Sequence, residues 1–263
     1  MELLQAWFAG HGFDKHRHDT YAVGVTDAGV QAFDYRGVTE VSTAGKVVVL
    51  HPDETHDGRA GTSEGFGYRI VYVAPARIAE AARAIRGRPC ALPFAHEPVM
   101  TNRALASAID DAFRDGLEPL ATDDLVVRLA EGLLDTDPSC GRGARSGRVD
   151  EGAVARARRL LDHETSRVVR SSELEAVTGL TRYELARQFR TALGTSPHRY
   201  SRMRRLDFAR EQIARSEPLP DVALAAGFAD QAHFTRLFKS SFGMTPARYR
   251  RLASGQKRMP GRA

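Results

Sequence analysis

The chain has little cysteine, little tryptophan and no long apolar run. Its 263 residues include two cysteines and one tryptophan. Cys90 and Cys140 are too few and too far apart in sequence to indicate a disulfide framework. No apolar run approaches the ~18 residues of a membrane span, and the N-terminus lacks the basic segment that opens a secretory signal. We therefore expect a cytoplasmic protein with no membrane partner.

Several signatures of enzymes are missing as well. The sequence contains no glycine-rich phosphate-binding loop and no nucleophile elbow. These absences leave a group of N-terminal histidines, described below, as the source from which enzyme chemistry would have to come. We expect a protein that is not an enzyme and that needs no cofactor.

The charge is unevenly distributed along the chain. The net charge is +5, but residues 1–149 hold 16 Lys and Arg against 21 Asp and Glu, whereas residues 150–263 hold 22 against 12. The two parts thus carry −5 and +10. Such an asymmetry is typical of a nucleic-acid-binding module joined to a domain of another kind.

One pattern occurs twice in the basic part, at a constant offset of 49 residues. The first copy ends at Tyr200 and the second at Tyr249. The matching pairs are Arg187/Arg236, Phe189/Phe238, Gly194/Gly243, Pro197/Pro246 and Tyr200/Tyr249. Because apolar, basic, glycine and proline positions all keep one offset, the same supersecondary unit is predicted to be built twice.

Each copy predicts an amphipathic helix preceded by a shorter one. Phe234, Phe238 and Phe242 recur at i, i+4 and i+8, and Leu185, Phe189 and Leu193 do the same in the first copy. Capping signals mark the starts, a capping box at residues 181–184 and an N-cap at Asp230, and Gly194 and Gly243 mark the ends. Shorter helices are predicted from Ser172 to about Thr178 and over 221–226. This is the helix-turn-helix plan; a plain helical bundle with charged outer faces is the alternative.

Residues 150–252 resemble the DNA-binding domain of the AraC/XylS family of transcription regulators. The residues that carry the resemblance are Ala223, Ala226, Gly227, Phe228, Asp230, His233, Phe234, Arg236, Phe238, Lys239, Gly243, Thr245, Pro246, Tyr249 and Arg250. Ala229 and Ala232 depart from it, because a polar side chain is common at both positions in the family. Double-stranded DNA is therefore the expected partner.

The outer faces of the two longer helices supply candidate DNA contacts. Arg187 and Arg236 occupy equivalent positions, and arginine can bond guanine O6 and N7 with both arms, so these two are expected to read bases. Tyr183, Gln231 and Thr235 are secondary candidates for base contacts, and Arg182, Arg190 and Lys239 are expected to neutralise phosphates. A helix from Pro197 to about Arg215, roughly 28 Å long, joins the two units. It could place them in adjacent major grooves, which lie about 34 Å apart.

The acidic part predicts strands followed by helices. Short strands are predicted at 21–25, 31–35, 46–50 and 68–73, separated by turns at 27–29, 36–37, 44–45, 51–54 and 65–67. Helices follow at 76–85, around Leu105 to Phe113, and from about Thr122 to Leu134. We thus expect an α+β protein of two domains: a β-barrel with capping helices over 1–134, a flexible linker over 135–148, and an all-α double helix-turn-helix domain over 149–263.

Residues 5–75 resemble the cupin-type sensor domain of the same family. The residues that carry this resemblance are His16, His18, Tyr21, Gly29, Phe33, Gly45, Pro52, Glu54 and His56. Alternate strand residues share a face, so His16 and His18 could point into a barrel mouth with His56 opposite. The histidines could bind a divalent metal, line the pocket of an organic ligand, or be structural. Metal-using cupin enzymes usually have a glutamate a few residues after His-x-His, and residues 19–23 contain none.

We take the organic-ligand interpretation, with no metal assigned, and expect the effector pocket to comprise His16, His18, Tyr21, Glu54 and His56. The resulting hypothesis is an effector-responsive, sequence-specific transcription regulator. The resemblance also implies a homodimer and contact with RNA polymerase. The alternative is a cupin-type metalloenzyme with an accessory DNA-binding domain, in which His16, His18 and His56 would be the metal ligands.

Overall fold

The computed structural model describes residues 1–137, Ser139 and 148–256. By their contacts these residues form two compact units. The first contains Met1–Val149 together with Thr181–Arg187, and the second contains 150–180 and 188–256. Most of the predicted linker lies outside the described residues, although Asp135 and Thr136 end a helix. Within the described ranges, no helix is both long enough and apolar enough to cross a membrane.

Eight antiparallel strands build the first unit. They are β1 (Glu2–Phe8), β2 (His11–His16), β3 (Tyr21–Tyr35), β4 (Val38–Thr43), β5 (Val47–Leu50), β6 (His56–Ala60), β7 (Phe66–Val73) and β8 (Val99–Met100). The first half of β3 lies in a sheet of order β1-β7-β3-β5-β8, and its second half pairs with β4 and β6, which in turn pairs with β2. The predicted sheet-rich, barrel-like N-terminal domain is confirmed.

Strand β3 differs from the prediction. A turn was expected at residues 27–29 between two short strands, but the chain continues as one strand of 15 residues. Instead of a turn, a bulge interrupts the register with β7 between Thr26 and Ala28, and Gly29 takes φ 70°. A Cβ on Gly29 would lie 2.0 Å from the carbonyl oxygen of Gly65, so only glycine fits there. The glycine lets the strand bend from one sheet into the other. The turn predicted at 65–67 is also wrong beyond Gly65, because β7 begins at Phe66.

The sheet separates two apolar clusters because its side chains alternate. Val47 and Val49 belong to the cluster beneath the helices, whereas Val48 and Leu50 belong to the cluster inside the barrel. The helices are α1 (Pro75–Arg86), α2 (Arg103–Asp115) and α3 (Pro119–Thr136), close to the predicted bounds. Their buried residues, such as Ile78, Ile109 and Leu129, complete the first cluster.

The second unit is all helical. Its helices are α4 (Glu151–His163), α5 (Ser171–Thr178), α6 (Arg182–Leu193), α7 (Pro197–Ala214), α8 (Leu219–Ala225), α9 (Gln231–Phe242) and α10 (Pro246–Gln256); the first residues of α6 group with the first unit. The predicted capping box is present, since Thr181 N donates to Glu184 Oε2 at 3.0 Å and Glu184 N donates to Thr181 Oγ1 at 3.4 Å. Gly194 and Gly243 have φ of 69° and 72°, as predicted for left-handed C-caps. The capping signals in the sequence therefore fix where these helices start and stop.

Candidate functional site

Helices α8 and α9 form a helix-turn-helix pair whose second helix has one buried side and one open side. Phe234, Leu237 and Phe238 are buried in the cluster of the second unit. Gln231, Arg236 and Lys239 are exposed, and Thr235 is half-buried. Asp230 caps the start of α9 by accepting a hydrogen bond from His233 N at 2.6 Å. The apolar stripe thus fixes the rotation of α9 about its axis, and an arginine and a lysine lie on its open face.

The turn between α8 and α9 is held by a buried arginine that the sequence analysis did not single out. Arg205 of α7 is 2% exposed, and its Nε donates to the carbonyl oxygen of Ala226 at 2.9 Å. A second guanidinium nitrogen donates to the carbonyl oxygen of Gly227, and the guanidinium lies 4.4 Å from the ring centroid of Phe228. Arg205 therefore positions the turn and, through it, α9.

Gly227 explains why this turn can pass so close to the rest of its unit. Its φ is 70°, and a Cβ there would lie 2.9 Å from the carbonyl oxygen of Ser166. Both the conformation and the close approach require glycine.

The side chains predicted to contact DNA from α6 are less open. Arg182, Arg187 and Arg190 are half-buried. Tyr183 is 4% exposed and belongs to the apolar cluster of the first unit, and this burial raises its pKa to about 12. In this arrangement Tyr183 is not presented to solvent, because it lies on the covered side of the helix. Its assignment as a base contact stays a prediction.

A cavity of about 470 Å³ occupies the interior of the barrel. Its walls are apolar and aromatic over most of their area, and Phe8, Phe33, Leu50, Ile70 and Tyr72 are among the residues that form them. Polar side chains gather where β2 meets β6, and those that line the cavity there are Asp14, Lys15, His16, His56 and Asp57. A cavity of this size and character is typical of small-molecule sites.

His16, His18 and His56 come together beside this cavity, as the sequence suggested. The ring centroids are 4.4 Å apart for His16 and His56, 4.9 Å for His18 and His56, and 6.1 Å for His16 and His18. His16 and His56 are direct partners in the ladder between β2 and β6, whereas His18 lies beyond the end of β2. The register of β2 with β6, rather than alternation along one strand, produces the cluster.

The surroundings of His18 and His56 favour the neutral imidazole. Burial is the main cause that lowers the pKa of His56 to about 4, with the neighbouring His16 and His18 adding to it. Burial also lowers the pKa of His18. Although the rings converge, the described side chains include no group of three or more His, Cys, Asp or Glu that could hold a metal ion as they stand.

Of the five residues of the expected effector pocket, His18, Tyr21 and Glu54 do not line the barrel cavity, and Tyr21 and Glu54 lie away from the histidine cluster. Tyr21 is buried on the helix-facing side of β3, and its hydroxyl donates to the carbonyl oxygen of Pro93 at 2.9 Å. It shares that side with Val23 and Val25, which alternation along the strand requires. Glu54 lies at a second, more polar cavity of about 490 Å³, where it accepts a hydrogen bond from Arg36 Nε at 3.2 Å. The position of neither side chain supports a role in the barrel cavity.

Comparison with known families agrees with both halves of this architecture. The family described as AraC-like ligand binding domain matches residues 1–134, about half of the chain. A helix-turn-helix domain family matches residues 174–252. The chain belongs to the AraC family of transcriptional regulators.

Proteins from several bacteria are similar to this chain. The transcriptional activator RhaS of Yersinia pestis is 25% identical over 253 residues, which cover 89% of this chain and 88% of RhaS. The probable regulator LumQ of Photobacterium leiognathi is 33% identical over 90 residues, which span only 36% of LumQ. Among solved structures, ToxT of Vibrio cholerae aligns over 96% of this chain and 98% of its own, at 14% identity and a TM-score of 0.39. LumQ and RhaS are both named as transcriptional regulators or activators.

Proposed function

We propose that this AraC-family regulator binds specific DNA sequences through α6 and α9 and adjusts that binding in response to a small molecule held in the barrel cavity. The open face of α9 carries the DNA-binding part of the proposal. It is basic and rigidly oriented by the buried stripe on its other side, which is the arrangement that places side chains in a major groove.

Residue roles follow from the chemistry of that face. Arg236 is exposed and can form two parallel hydrogen bonds to a guanine, so we assign base reading to it and to its counterpart Arg187. Gln231 and Thr235 supply further contacts. Lys239, with Arg182 and Arg190, neutralises phosphates and adds affinity more than discrimination. Helix α7 is 18 residues long, about 27 Å at the usual rise, so the two recognition helices would read adjacent grooves.

The cavity carries the effector-binding part. It lies in the same barrel whose outer face supports α1 to α3, and it is large enough for a small organic ligand. A ligand can shift the protein between a DNA-binding and a non-binding state only by as much as its affinity for the two states differs. On this proposal the protein performs no chemistry on its ligand, is not an enzyme and requires no cofactor. A second copy of the chain and RNA polymerase stay predicted partners on the resemblance alone.

Replacing Arg236 with alanine tests the DNA-binding assignment. We expect Arg236→Ala to weaken binding to the preferred sequence by about 1–3 kcal/mol and to relax the preference at one base pair. The measurement is fluorescence anisotropy on a site selected from random DNA and on single-base variants of that site.

The matched control is Arg159→Ala. Arg159 is exposed on α4 and belongs to neither recognition helix, and its replacement removes the same charge. It should leave the base preference unchanged. Equal weakening of Arg236→Ala on every sequence would show that Arg236 does not read a base.

A further inference from the structure

The three clustered histidines share one tautomer, which the backbone sets. The Nδ1 atom of His16 lies 2.9 Å from the carbonyl oxygen of Asp14, that of His18 lies 2.8 Å from the carbonyl oxygen of Thr20, and that of His56 lies 3.0 Å from the carbonyl oxygen of Glu54. A carbonyl oxygen only accepts hydrogen bonds, so each Nδ1 must carry the hydrogen and donate it. In a neutral ring the other nitrogen, Nε2, then carries a lone pair and accepts.

Of the three rings, His16 and His56 line the cavity, so in their neutral form their Nε2 atoms give it an accepting end. His18 packs against His56 but does not line the cavity. His56, which lines the cavity and is 3% exposed, is neutral at pH 7 because burial holds its pKa at about 4. The described residues make no hydrogen bond to His56 Nε2. The Nε2 of His18 is buried, and it too has no hydrogen-bond partner among them. An acceptor on a largely buried residue costs free energy when it has no donor, so a ligand in the cavity that donates to His56 would be favoured.

The rest of the cavity selects the body of the ligand. Phe8, Phe13, Phe33, Tyr68 and Tyr72 are among the side chains that line it. Phe8 stacks on Tyr68 with ring centroids 6.1 Å apart, so the wall presents flat aromatic surface. Such a wall leaves the many hydroxyls of a sugar without partners, whereas it matches an aromatic or alkyl-aromatic body.

We propose that the effector of this cavity is an aromatic or alkyl-aromatic molecule with one hydrogen-bond-donating end, a hydroxyl or an amine, which donates to the histidine cluster at the β2–β6 edge. The inference rests on the proposal that the barrel cavity is the effector site, and it specifies the chemical class of ligand. Its central requirement is that the donor, and not merely the apolar body, determines affinity.

Three probes with one body and different heads test this requirement: 4-butylphenol, 4-butylanisole and 4-butylbenzoate. Binding to the full chain is measured at pH 7 without DNA, by isothermal titration calorimetry. We expect the phenol to bind at least about tenfold more tightly than the anisole, whose oxygen can accept but not donate. Stronger binding of the benzoate would show instead that Lys15, at the same end of the cavity, holds an anionic head, and it would overturn the proposal. Equal binding of phenol and anisole, or no binding of any probe, would overturn it too.

Variants locate the effect. His56→Phe keeps a ring but removes the acceptor, so the preference for phenol over anisole should fall to within about twofold. His16→Phe provides a second test at an exposed position, where the larger ring is not forced into the packed core. The control His96→Phe alters an exposed histidine of the same unit, which does not line the cavity, and should keep the full preference.

Two additional measurements separate this inference from its alternatives. The first is a titration with Zn²⁺ and Ni²⁺, which should show no stoichiometric binding that depends on His16 and His56. If a metal ion does bind in this way, the cluster is a metal site and the organic donor is the wrong occupant.

The second is DNA affinity, measured with and without 4-butylphenol. If the phenol preference holds but DNA affinity does not change, the ligand class stands and the regulatory role of the cavity fails.

Discussion

At the scale of single residues, the histidines show how the backbone decides side-chain chemistry. Three rings within 4.4 to 6.1 Å of one another form one cluster, but backbone carbonyls fix their tautomer and burial lowers the pKa of two of them. The His-x-His spacing and the resemblance to a cupin-type domain were enough to predict that His16, His18 and His56 meet. The pairing of β2 with β6, which brings His16 to His56, is not a local signal. The sequence could not predict the tautomer, which depends on where the carbonyl groups of Asp14, Thr20 and Glu54 point.

Two buried histidines, His51 and His56, make stability depend on pH. In the folded chain the pKa values of His51 and His56 are about 4, mainly because of burial, against an ordinary value near 6.5. Between those values the unfolded chain takes up protons that the folded chain does not, so acid favours unfolding. We expect the free energy of unfolding of the first unit to be highest above pH 6.5 and to fall as the pH is lowered from 7 to 5. Urea titrations followed by the fluorescence of Trp7 measure it.

A variant tests whether His56 contributes to that slope. His56→Gln removes one of the two titrating groups and should reduce the pH dependence between pH 7 and 5, while the contribution of His51 remains. If the variant and the unmodified chain lost stability in parallel, the His56 imidazole would not be the source.

At the scale of helices and strands, the sequence predicts the bounds of an element correctly when the residues that determine those bounds lie within or next to the element. The helices of the second unit start and stop within a few residues of their predicted bounds, because N-caps, left-handed glycines and apolar stripes lie within each segment. Strand β3 was divided wrongly, since a glycine that ends a strand and a glycine at a bulge look alike in sequence. The difference depends on Gly65, a distant residue of the chain.

Arg205 was missed for a related reason. It lies on α7 between Met203 and Leu206 and next to Arg204. An arginine in such a pattern is ordinarily expected on the solvent-exposed face of the helix. Its partners are carbonyl groups of a turn that follows about 20 residues later. Only the packing of α7 against the α8–α9 turn shows that this arginine is internal.

Replacing Arg205 with methionine should weaken the second unit. Arg205→Met keeps a long side chain but leaves the carbonyl groups of Ala226 and Gly227 without their donor, so we expect a loss of roughly 2–5 kcal/mol in the free energy of unfolding. Urea titration followed by helical circular dichroism at about 222 nm gives the value, and DNA affinity should fall with it.

The control for that experiment is Arg204→Met on the same helix. Arg204 pairs with Asp207 at 2.8 Å on a partly exposed surface, and such pairs contribute about 1 kcal/mol or less. If the two variants were equally stable, Arg205 would not hold the turn.

At the scale of the whole molecule, the acidic part of the chain matches a ligand-binding family and the basic part matches a helix-turn-helix family. The residues that bear the cavity carry −5, and those that bear most of the helix-turn-helix units carry +10. This difference was visible in the sequence alone, and it agrees with the families that match each half. A positive unit is drawn to any DNA, and a handful of base contacts must then discriminate among sequences.

DNA affinity should therefore fall linearly with salt on logarithmic scales. Each phosphate that is neutralised adds about 0.9 to the slope, so Lys239→Ala should lower the slope by roughly one unit while leaving the base preference intact. Anisotropy titrations across a series of salt concentrations measure both quantities. An unchanged slope would mean that Lys239 does not meet a phosphate.

The alternating strands of the first unit have a mechanical consequence. In β5, Val48 faces the barrel interior and Val49, the next residue, faces the helical layer, so a single ply of backbone divides the two compartments. A ligand that pushes the inner face of these strands outward would therefore also move their outer face, against which α1 to α3 pack. The size of the ligand, and not only its affinity, would then determine how far α1 to α3 are displaced.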